Sequence, residues 1–321
     1  MSAAPLSDRS ASPGASDDWP LVSAIVATRG RPELVQETVE AVVAQTYPGD
    51  IECLVVHDQE EPVERLTALG AANRHVSVTT NTHSAGLAGA RNTGIDLTSG
   101  AFVATCDDDD TWHPHKTELQ VRMLTERPEL LMVGGGIRLR FPGRLAEWPA
   151  RAAQFDRSML LRSRVKELHS STLMMRRDTF AKAGRYDEDL PFGYAEDYDW
   201  VLRVSRVGRI GAVIEPVADI RKDVPSWYKG RADRTAIGLA YLLDKHPEIN
   251  ESRRGHARML AQIGFARSAA GDARGGMTLA LRALARWPLS AHAYLTLMQA
   301  ATRIDPSVVA RGLRHLGRGT A

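Results

Sequence analysis

The sequence LVSAIVATRGRPELVQETVEAVVAQTYPGDIECLVVHD, residues 21–58, decides the fold class of this chain. Its two apolar runs, 21–27 and 51–56, have the length of strands, and the segment between them has the apolar spacing of a helix. Pro32 suits the first turn of that helix, and Pro48-Gly49 ends it. The order strand, helix, strand is typical of a βαβ unit, in which the two strands lie parallel.

The pattern continues on both sides of this unit. Strand-like runs follow at 76–80 and 101–106, and then, with longer polar segments between them, at 134–141, 167–175 and 210–220. From residue 226 onward only helix signals remain. The sequence therefore predicts an α/β protein with a Rossmann-like, mixed and mostly parallel sheet flanked by helices, followed by an α-helical C-terminal extension.

Three regions are predicted along the chain. Residues 1–19, rich in Ser, Ala, Asp and Pro, form a disordered tail without the apolar core of a signal peptide; residues 20–247 form the main domain, and residues 248–321 the helical extension. Residues 263–288 resemble one tetratricopeptide-type helical hairpin. Two alternatives are an ordinary pair of helices packed on the main domain and attachment to a membrane surface through arginines and Trp287.

Bulk composition narrows the class of protein. The 321 residues carry 41 basic and 39 acidic side chains, so a net charge of +2 does not favour nucleic acid as a partner. Cys53 and Cys106 lie in apolar runs, as small buried side chains of a protein in a reducing compartment do. The sequence has no apolar run of the roughly 18 residues that a membrane span requires. We predict a cytoplasmic protein without a transmembrane segment.

Four consecutive aspartates, residues 107–110, follow the predicted strand at 101–106. Such a cluster repels itself unless a cation is present, and hard divalent cations take carboxylate ligands and often share them with substrate phosphates. In an extended segment Asp107 and Asp109 point one way and Asp108 and Asp110 the other, so the predicted unit is Asp-x-Asp. The alternative is a solvated acidic turn whose last aspartate caps the following helix.

Two more strand ends carry polar residues, and ligands of open α/β sheets collect at the carboxyl ends of strands. The first strand leads into Ala27, Thr28 and Arg29, and the second into Asp58. A carboxylate at the second end can accept a hydrogen bond from the imide N–H of a pyrimidine base. The alternative role of Asp58 is a turn or helix cap. We expect the loops at 27–32, 57–61 and 107–110 to converge on one crevice.

Two further segments contain candidate residues. The loop around Gly86 precedes a predicted helix whose free N–H groups, together with Arg91, could bind an anion; ordinary turn glycines are the alternative, and the P-loop pattern is not present. Glu196 and Asp197 begin an amphipathic helix. Acidic residues at that position favour the helix dipole, and they would also hold a general base rigidly near the crevice.

In their order and spacing these segments resemble the family-2 glycosyltransferases of the GT-A fold. The resemblance runs from about 22 to 221, and three stretches support it, at 22–58, 84–116 and 170–208. It implies an inverting transfer from a nucleotide-diphosphate sugar, with Mn²⁺ or Mg²⁺ bound at the Asp-x-Asp carboxylates. UDP is the expected nucleotide, with dTDP and GDP as alternatives, and the acceptor is an unknown glycan, a lipid-linked molecule or a small molecule.

The resemblance also implies roles for individual residues. Asp197 is the base, Asp109 and Asp107 bind the metal, and Asp58 contacts the nucleotide base. The remaining donor-binding residues are Ala27, Thr28, Arg29, Gly86, Arg91, Asp108 and Glu196, with Asp107 also on the ribose side. Many members have a metal-binding His after the last strand, where this sequence has Lys222 and Asp223. A Gln-x-x-Arg-Trp motif typical of processive members does not occur, so one sugar is transferred per encounter.

Two rival functions fit part of the same pattern. A sugar nucleotidyltransferase would need a glycine-rich loop with Arg and Lys near the start, whereas 28–32 has one glycine and no lysine. An inactive GT-A scaffold for the helical extension would not need the full set Asp58, Asp107, Asp109 and Asp197. Protein or self-association through the helical extension is a further expectation.

Overall fold

The computed structural model describes residues 19–224 and 230–302. Its strands are β1 Val22–Thr28, β2 Ile51–His57, β3 Arg74–Thr80, β4 Phe102–Asp107, β5 Thr111–Trp112, β6 Leu130–Phe141, β7 Arg144–Trp148, β8 Gln154–Phe155, β9 Met174–Arg176 and β10 Arg209–Arg221. Its helices are α1 Pro32–Val43, α2 Leu87–Leu97, α3 Lys116–Glu126, α4 Arg157–Arg162, α5 Thr179–Ala183, α6 Glu196–Val207, α7 Ala232–Lys245, α8 Arg253–Ala269, α9 Ala273–Arg286 and α10 Ala291–Thr302.

The strands form one mixed sheet in the order β3-β2-β1-β4-β9-β6-β10-β5, with β7 paired to β6 and β8 to β10. The first four strands are parallel, as the βαβ pattern predicts. β9 is antiparallel to both of its neighbours and joins this half of the sheet to the other. The predicted fold class, a mixed sheet flanked by helices with a helical C-terminal region, is confirmed.

Apolar side chains cover both faces of the central strands. All seven residues of β1 are buried. On one face Ile25 and Val56 belong to a cluster that includes Trp200 of α6, and on the other Val26 packs in a second cluster with Val39 of α1. Burial on both faces explains why the sequence of these strands is nearly continuous in apolar residues, and it fixes the carboxyl edge of the sheet.

The segment 166–172 differs from the prediction of a strand over 167–175. Only Met174–Arg176 is a strand, and the preceding residues form two short 3-10 turns. The polar side chains in this segment explain the difference. Ser170 and Ser171 hydrogen-bond to aspartates after β4, and Thr172 donates to the backbone carbonyl of Glu167 at 2.9 Å. These bonds favour turns over an extended ladder.

The C-terminal helices pack on the main domain. α8 and α9 form the predicted hairpin, with Gly271 at a φ of +101° in its turn. A Cβ added at Gly264 would lie 2.9 Å from the carbonyl oxygen of Gly276, so small residues let the two helices approach closely. Trp287 is half-buried against a small alanine-rich cluster of these helices. In the part of the chain that the structure describes, every helix is too short or too polar to cross a membrane.

A buried polar network links α6 to the end of α7. Asp199 accepts hydrogen bonds from His246 Nε2 at 2.9 Å and from Arg203 Nε at 2.8 Å, and it forms an ion pair with Lys245 at 2.7 Å. Burial opposes ionisation here, but these partners hold the pKa of Asp199 well below its usual range.

The predicted domain boundary near residue 247 and the predicted disordered tail both stay predictions. Residues 1–18 of the tail and residues 303–321 of the extension lie outside the described residues. Trp19, assigned to the tail, packs edge-on against Tyr47.

Candidate active site

Three loops at the carboxyl edge of the sheet contact one another, as the sequence predicts. The loop after β1 contacts the loop after β2 through Arg29, whose guanidinium lies 3.7 Å from Asp58. It contacts the loop after β4 through Thr28, which donates to Asp108 at 2.8 Å. Ala27, at the end of the same strand, is buried. The crevice between these loops is the candidate site.

Asp58 is buried at the edge of this crevice. Its Oδ1 accepts hydrogen bonds from the Asn81 side chain at 2.9 Å and from the backbone N–H of Gly86 at 3.0 Å. Gly86 has a φ of +123°, which only glycine adopts readily, and it immediately precedes α2. The Oδ2 of Asp58 faces Gln59 at 3.2 Å and the exposed Arg29. One oxygen therefore holds the loop that carries Gly86, and the other contacts Gln59 and Arg29.

An exposed histidine ties the loop that carries Gly86 to the rest of the domain. His83 hydrogen-bonds to Asp96 and to Glu188, each at 2.8 Å. The hydrogen bond to Asp96 is the main cause that raises the pKa of His83 above its usual 6.5, and Glu188 acts in the same direction. Arg185 also pairs with Asp96. Together these contacts anchor the loop to α2 and to the segment before α6.

His83→Gln should therefore lower the free energy of unfolding at low pH more than at high pH. A pKa raised in the folded state contributes stability that is fully present below pH 6.5 and is lost as the pH rises through the folded value. Because the side chain is partly exposed, the difference should stay below about 1 kcal/mol. Urea unfolding of the wild type and of His83→Gln, below and above neutral pH, measures this difference. A loss of stability that is the same at both pH values would contradict the ion pairs of His83.

The four aspartates do not alternate as predicted. β4 ends at Asp107, and the next two residues form a turn, so Asp108 and Asp109 share one partner: Arg31 lies 3.1 Å from the first and 2.9 Å from the second. Burial raises the pKa of Asp108 to about 6 despite this ion pair. The prediction of two faces is wrong because it extended the strand beyond its last residue.

Asp107 and Asp110 face a histidine that the sequence analysis did not identify. The potential ligand atoms of Asp107, Asp110 and His169 all lie within 4.8 Å of one another. Asp110 also accepts from Ser171 Oγ at 2.5 Å and from the backbone N–H of Arg221 at 3.0 Å, and it does not cap α3. Burial lowers the pKa of His169 to about 4, so its imidazole is neutral at neutral pH. Its Nδ1 accepts a hydrogen bond from the backbone N–H of Ser171 at 3.3 Å, a bond that a cation at this atom would replace.

The signal for His169 is the row of four polar residues at 169–172, which does not fit the alternation of a strand over 167–175. The resemblance to the family instead directs attention to a histidine after the last strand. At that place the backbone N–H of Lys222 donates to the carbonyl of Arg140, and Asp223 lies 3.8 Å from the Arg140 guanidinium. Residues 225–229 of the same segment lie outside the described residues.

Arg91 connects the aspartates after β4 to the start of α6. Its guanidinium is 1% exposed and forms ion pairs with Asp107 and with Glu196, each at 2.7 Å, and it also donates to Ser170. Burial opposes ionisation of Asp107, but the charge of Arg91 lowers its pKa. Burial raises the pKa of Glu196 to about 7. The sequence predicts an anionic ligand for Arg91, whereas its ion pairs in the structure are with the carboxylates of Asp107 and Glu196.

Asp197 lies next to this bridge, in the first turn of α6. It is 3% exposed and pairs with Arg164, which follows α4. Ala195, which precedes the helix, has a left-handed φ of +64°. Seven carboxylates thus lie on the strand ends, loops and helix end around one edge of the sheet, at residues 58, 107–110, 196 and 197.

Solved structures share this fold. TarS residues 1–349 of S. aureus, in complex with UDP-GlcNAc, aligns with a TM-score of 0.54 at 16% identity, over 83% of this chain and 87% of that one. The mannosyltransferase PcManGT of Pyrobaculum calidifontis, in complex with GDP-Man and Mn²⁺, aligns with a TM-score of 0.54 at 18% identity, over 90% and 89%. The mixed sheet with its flanking helices has the GT-A fold of these structures.

Sequence comparison gives the family. The model of glycosyl transferase family 2 matches residues 23–184, about half of the chain, and the chain belongs to this family. The UDP-Glc:alpha-D-GlcNAc-diphosphoundecaprenol beta-1,3-glucosyltransferase WfgD of Escherichia coli is 33% identical over 118 residues, 37% of this chain and 46% of that protein. The glucosyl-dolichyl phosphate glucuronosyltransferase of Haloferax volcanii is 29% identical over 181 residues, 52% and 56%. The chain thus spans about half the length of these two relatives.

Proposed function

We propose that this chain transfers a sugar from a nucleotide-diphosphate donor to an acceptor hydroxyl with inversion at the anomeric carbon. The observation that carries the proposal is the buried bridge from Asp107 through Arg91 to Glu196. It joins the acidic turn after β4, suited to a metal and diphosphate, to the helix end that carries Asp197. Both halves of a displacement reaction therefore have candidate groups in one site.

The donor nucleotide binds along the loops after β1 and β2. The Oδ2 of Asp58 accepts the imide N–H of the base, which favours UDP and also suits dTDP; GDP is the alternative. Thr28 and Arg29 line the same pocket, and Asp107 lies on the ribose side. This assignment is supported by the geometry of Asp58, whose Oδ1 is already occupied by Asn81 and Gly86.

Mn²⁺ or Mg²⁺ fits the acidic edge of the site. Two carboxylates and a neutral imidazole, from Asp107, Asp110 and His169, form a donor set that suits Mn²⁺, and Asp107 with Asp109 is the pair that the family pattern implies. A bound cation would offset the charge that develops on the departing diphosphate. It would also relieve the repulsion that helps to raise the pKa of Asp109 and Asp110, for which burial is the main cause.

The two possible sets of metal ligands predict different effects of substitutions on Mn²⁺ binding. If the imidazole is a ligand, His169→Gln should weaken Mn²⁺ binding by at least about tenfold, because the amide nitrogen of glutamine cannot coordinate a metal as an imidazole nitrogen does. Asp109→Asn should weaken Mn²⁺ binding if the metal is instead held by Asp107 and Asp109. Electron paramagnetic resonance of Mn²⁺ in the presence of UDP measures both. Lys222→Gln, near the site but outside both sets, is the control, and equal affinities in all four proteins would contradict a metal at either place.

Asp197 acts as the general base. Its carboxylate takes the proton of the acceptor hydroxyl as the oxygen attacks the anomeric carbon, and the bond from that carbon to the donor diphosphate breaks on the opposite face. The electron pair of that bond leaves with the nucleoside diphosphate. General bases of this kind contribute about 10²–10⁴-fold to rate. Glu196 forms an ion pair with Arg91, and this contact holds the start of α6, and with it Asp197, in position.

The acceptor is a glycan, a lipid-linked molecule or a small molecule, and one sugar is transferred per encounter. The names of two relatives contain a lipid phosphate or diphosphate, which favours the second class here. Protein or self-association through the extension is supported by large apolar side chains exposed on its helices and connections: Met277, Leu281, Leu289, Tyr294 and Met298. Buried, unpaired Cys53 and Cys106 support a cytoplasmic location.

Hydrolysis of nucleotide sugars in the presence of Mn²⁺ tests the proposal. We expect slow release of nucleoside diphosphate, and a rise in melting temperature with the matching nucleotide and Mn²⁺. Release of pyrophosphate from a nucleoside triphosphate and a sugar phosphate would instead indicate a nucleotidyltransferase. Nucleotide-sugar binding without any turnover, even with candidate acceptors, would indicate a scaffold.

A further inference from the structure

Helix α8 of the extension contributes a side chain next to the proposed base. A Cβ added at Gly255 would lie 2.0 Å from the carbonyl oxygen of Leu161, so α8 and α4 are in backbone contact at this glycine. One turn farther on, Arg258 Nη2 lies 3.3 Å from the hydroxyl of Tyr198, the residue that follows Asp197. The close approach at Gly255 therefore holds the guanidinium of Arg258 beside the first turn of α6.

Arg258 has only weak neutral partners in the described part of the chain. Besides the Tyr198 hydroxyl, its hydrogen-bond partners are Gln262 Oε1 at 3.4 Å and the Met259 sulfur at 3.9 Å, and its Cζ lies 5.8 Å from the centre of the Tyr198 ring. Its Nε is buried without a hydrogen-bond partner. Buried guanidinium groups normally pair with an anion because desolvating the charge is costly. Burial lowers the pKa of Arg258, and the nearby positive charge of Arg164 lowers it further.

Arg164 provides the second positive charge at this place. Its guanidinium pairs with Asp197, and 40% of the surface of its side chain is exposed. Arg164 contacts Asp197 and Arg258 contacts Tyr198, so the two guanidinium groups meet consecutive residues of α6. Among the described residues, Asp197 is the one carboxylate that forms an ion pair with either of them.

We propose that Arg258 and Arg164 bind a phosphoryl group of the acceptor beside Asp197. A phosphoryl group has several oxygens and at least one negative charge, so two guanidinium groups can share it through paired N–H···O bonds. The inference rests on the proposed function, because it takes Asp197 to be the base that accepts the proton of the acceptor hydroxyl. It adds a substrate class, an acceptor with a phosphate or diphosphate near the hydroxyl that receives the sugar.

Phenyl phosphate is a suitable probe, because it carries the phosphoryl group without a sugar or a lipid. With the donor pocket filled by UDP and Mg²⁺, isothermal titration should detect its binding to the wild-type chain. Arg258→Gln and Arg164→Gln should each weaken binding at least about tenfold, the usual loss for one charge-assisted contact. Arg258→Lys should fall between, since it keeps the charge but not the planar donor pair. Arg282→Gln, the same change at an exposed position of α9, should bind as the wild type does.

Two results would overturn the proposal. One is equal affinity for phenyl phosphate in the wild type and in Arg258→Gln, provided that circular dichroism shows both folded. The other is no binding to the wild type at millimolar phenyl phosphate. Titration of each protein with UDP separates a failure of this proposal from a failure of the proposed function. If the wild type binds phenyl phosphate but no nucleotide, the phosphoryl site is supported and the assignment of the donor site is contradicted.

The same variants distinguish two sources of the phosphoryl group. Glucose 1-phosphate represents a soluble acceptor and farnesyl phosphate a polyprenyl-linked one. Tighter binding of either, lost in Arg258→Gln, supports the site and identifies its source. Binding of both that is unaffected by Arg258→Gln counts against it.

Discussion

Asp197→Asn should lower the rate of sugar transfer by about 10²–10⁴-fold, the range of general-base catalysis, while donor binding stays nearly unchanged. The amide has the same size as the carboxylate but cannot accept the proton of the attacking hydroxyl. Asp197 is 3% exposed and pairs with Arg164, so the variant also removes the charge that Arg164 pairs with, and circular dichroism must show that it is folded. Single-turnover transfer and UDP titration measure the two effects separately.

Asp199→Asn is the matched control for this variant. It makes the same change two residues farther along α6, where Asp199 pairs with His246 and Lys245 of the neighbouring segment. We expect a lower melting temperature and a transfer rate near that of the wild type for the folded protein. Transfer that survives in Asp197→Asn would move the base to Glu196 or to another group, and the proposed mechanism would be wrong.

Arg91→Met should lower the free energy of unfolding by about 3–5 kcal/mol, as expected when one partner of a buried ion pair is removed. Arg91 is 1% exposed and pairs with both Asp107 and Glu196. Methionine fills much of the space but leaves the buried carboxylate of Glu196 and the partly exposed one of Asp107 without their cation. Urea unfolding in the absence of divalent metal gives the difference, and the metal-free condition matters because a cation would offset part of the loss.

The double variant Arg91→Met with Glu196→Gln is the control. A neutral amide needs no cation, so the combined loss of stability should be smaller than the sum of the two single losses. A cost of less than about 1 kcal/mol for Arg91→Met alone would put the bridge in the range of exposed ion pairs and contradict its burial.

Much of the sheet could be predicted from the sequence because its signals are local. Each parallel strand is an apolar run of fixed length, and the helices between them have their own spacing and proline and glycine boundaries. The start of α6 at Glu196 and the loop at Gly86 were likewise predicted from short segments. The polar residues after strands β1, β2 and β4 pointed to the crevice because parallel strands end at one edge.

The partners of the site residues could not be predicted, since they come from distant parts of the chain. Arg91 meets Glu196 across 105 positions, and Arg31 meets Asp109 across 78. His169 reaches Asp110 only because the polar segment before β9 folds into turns, which a periodic pattern does not reveal. The sequence indicated which residues are charged, and the fold decides which of them neutralise one another.

The backbone contact between Gly255 and Leu161 bears on how the protein can be shortened. The cut after residue 247 that the sequence suggests would expose Leu161 and remove Met259 and Ile263, which belong to the same apolar cluster as the central strands. Trimming for crystallisation, or joining the catalytic unit to another protein, should therefore keep the whole of α8. A shorter fragment would be expected to aggregate.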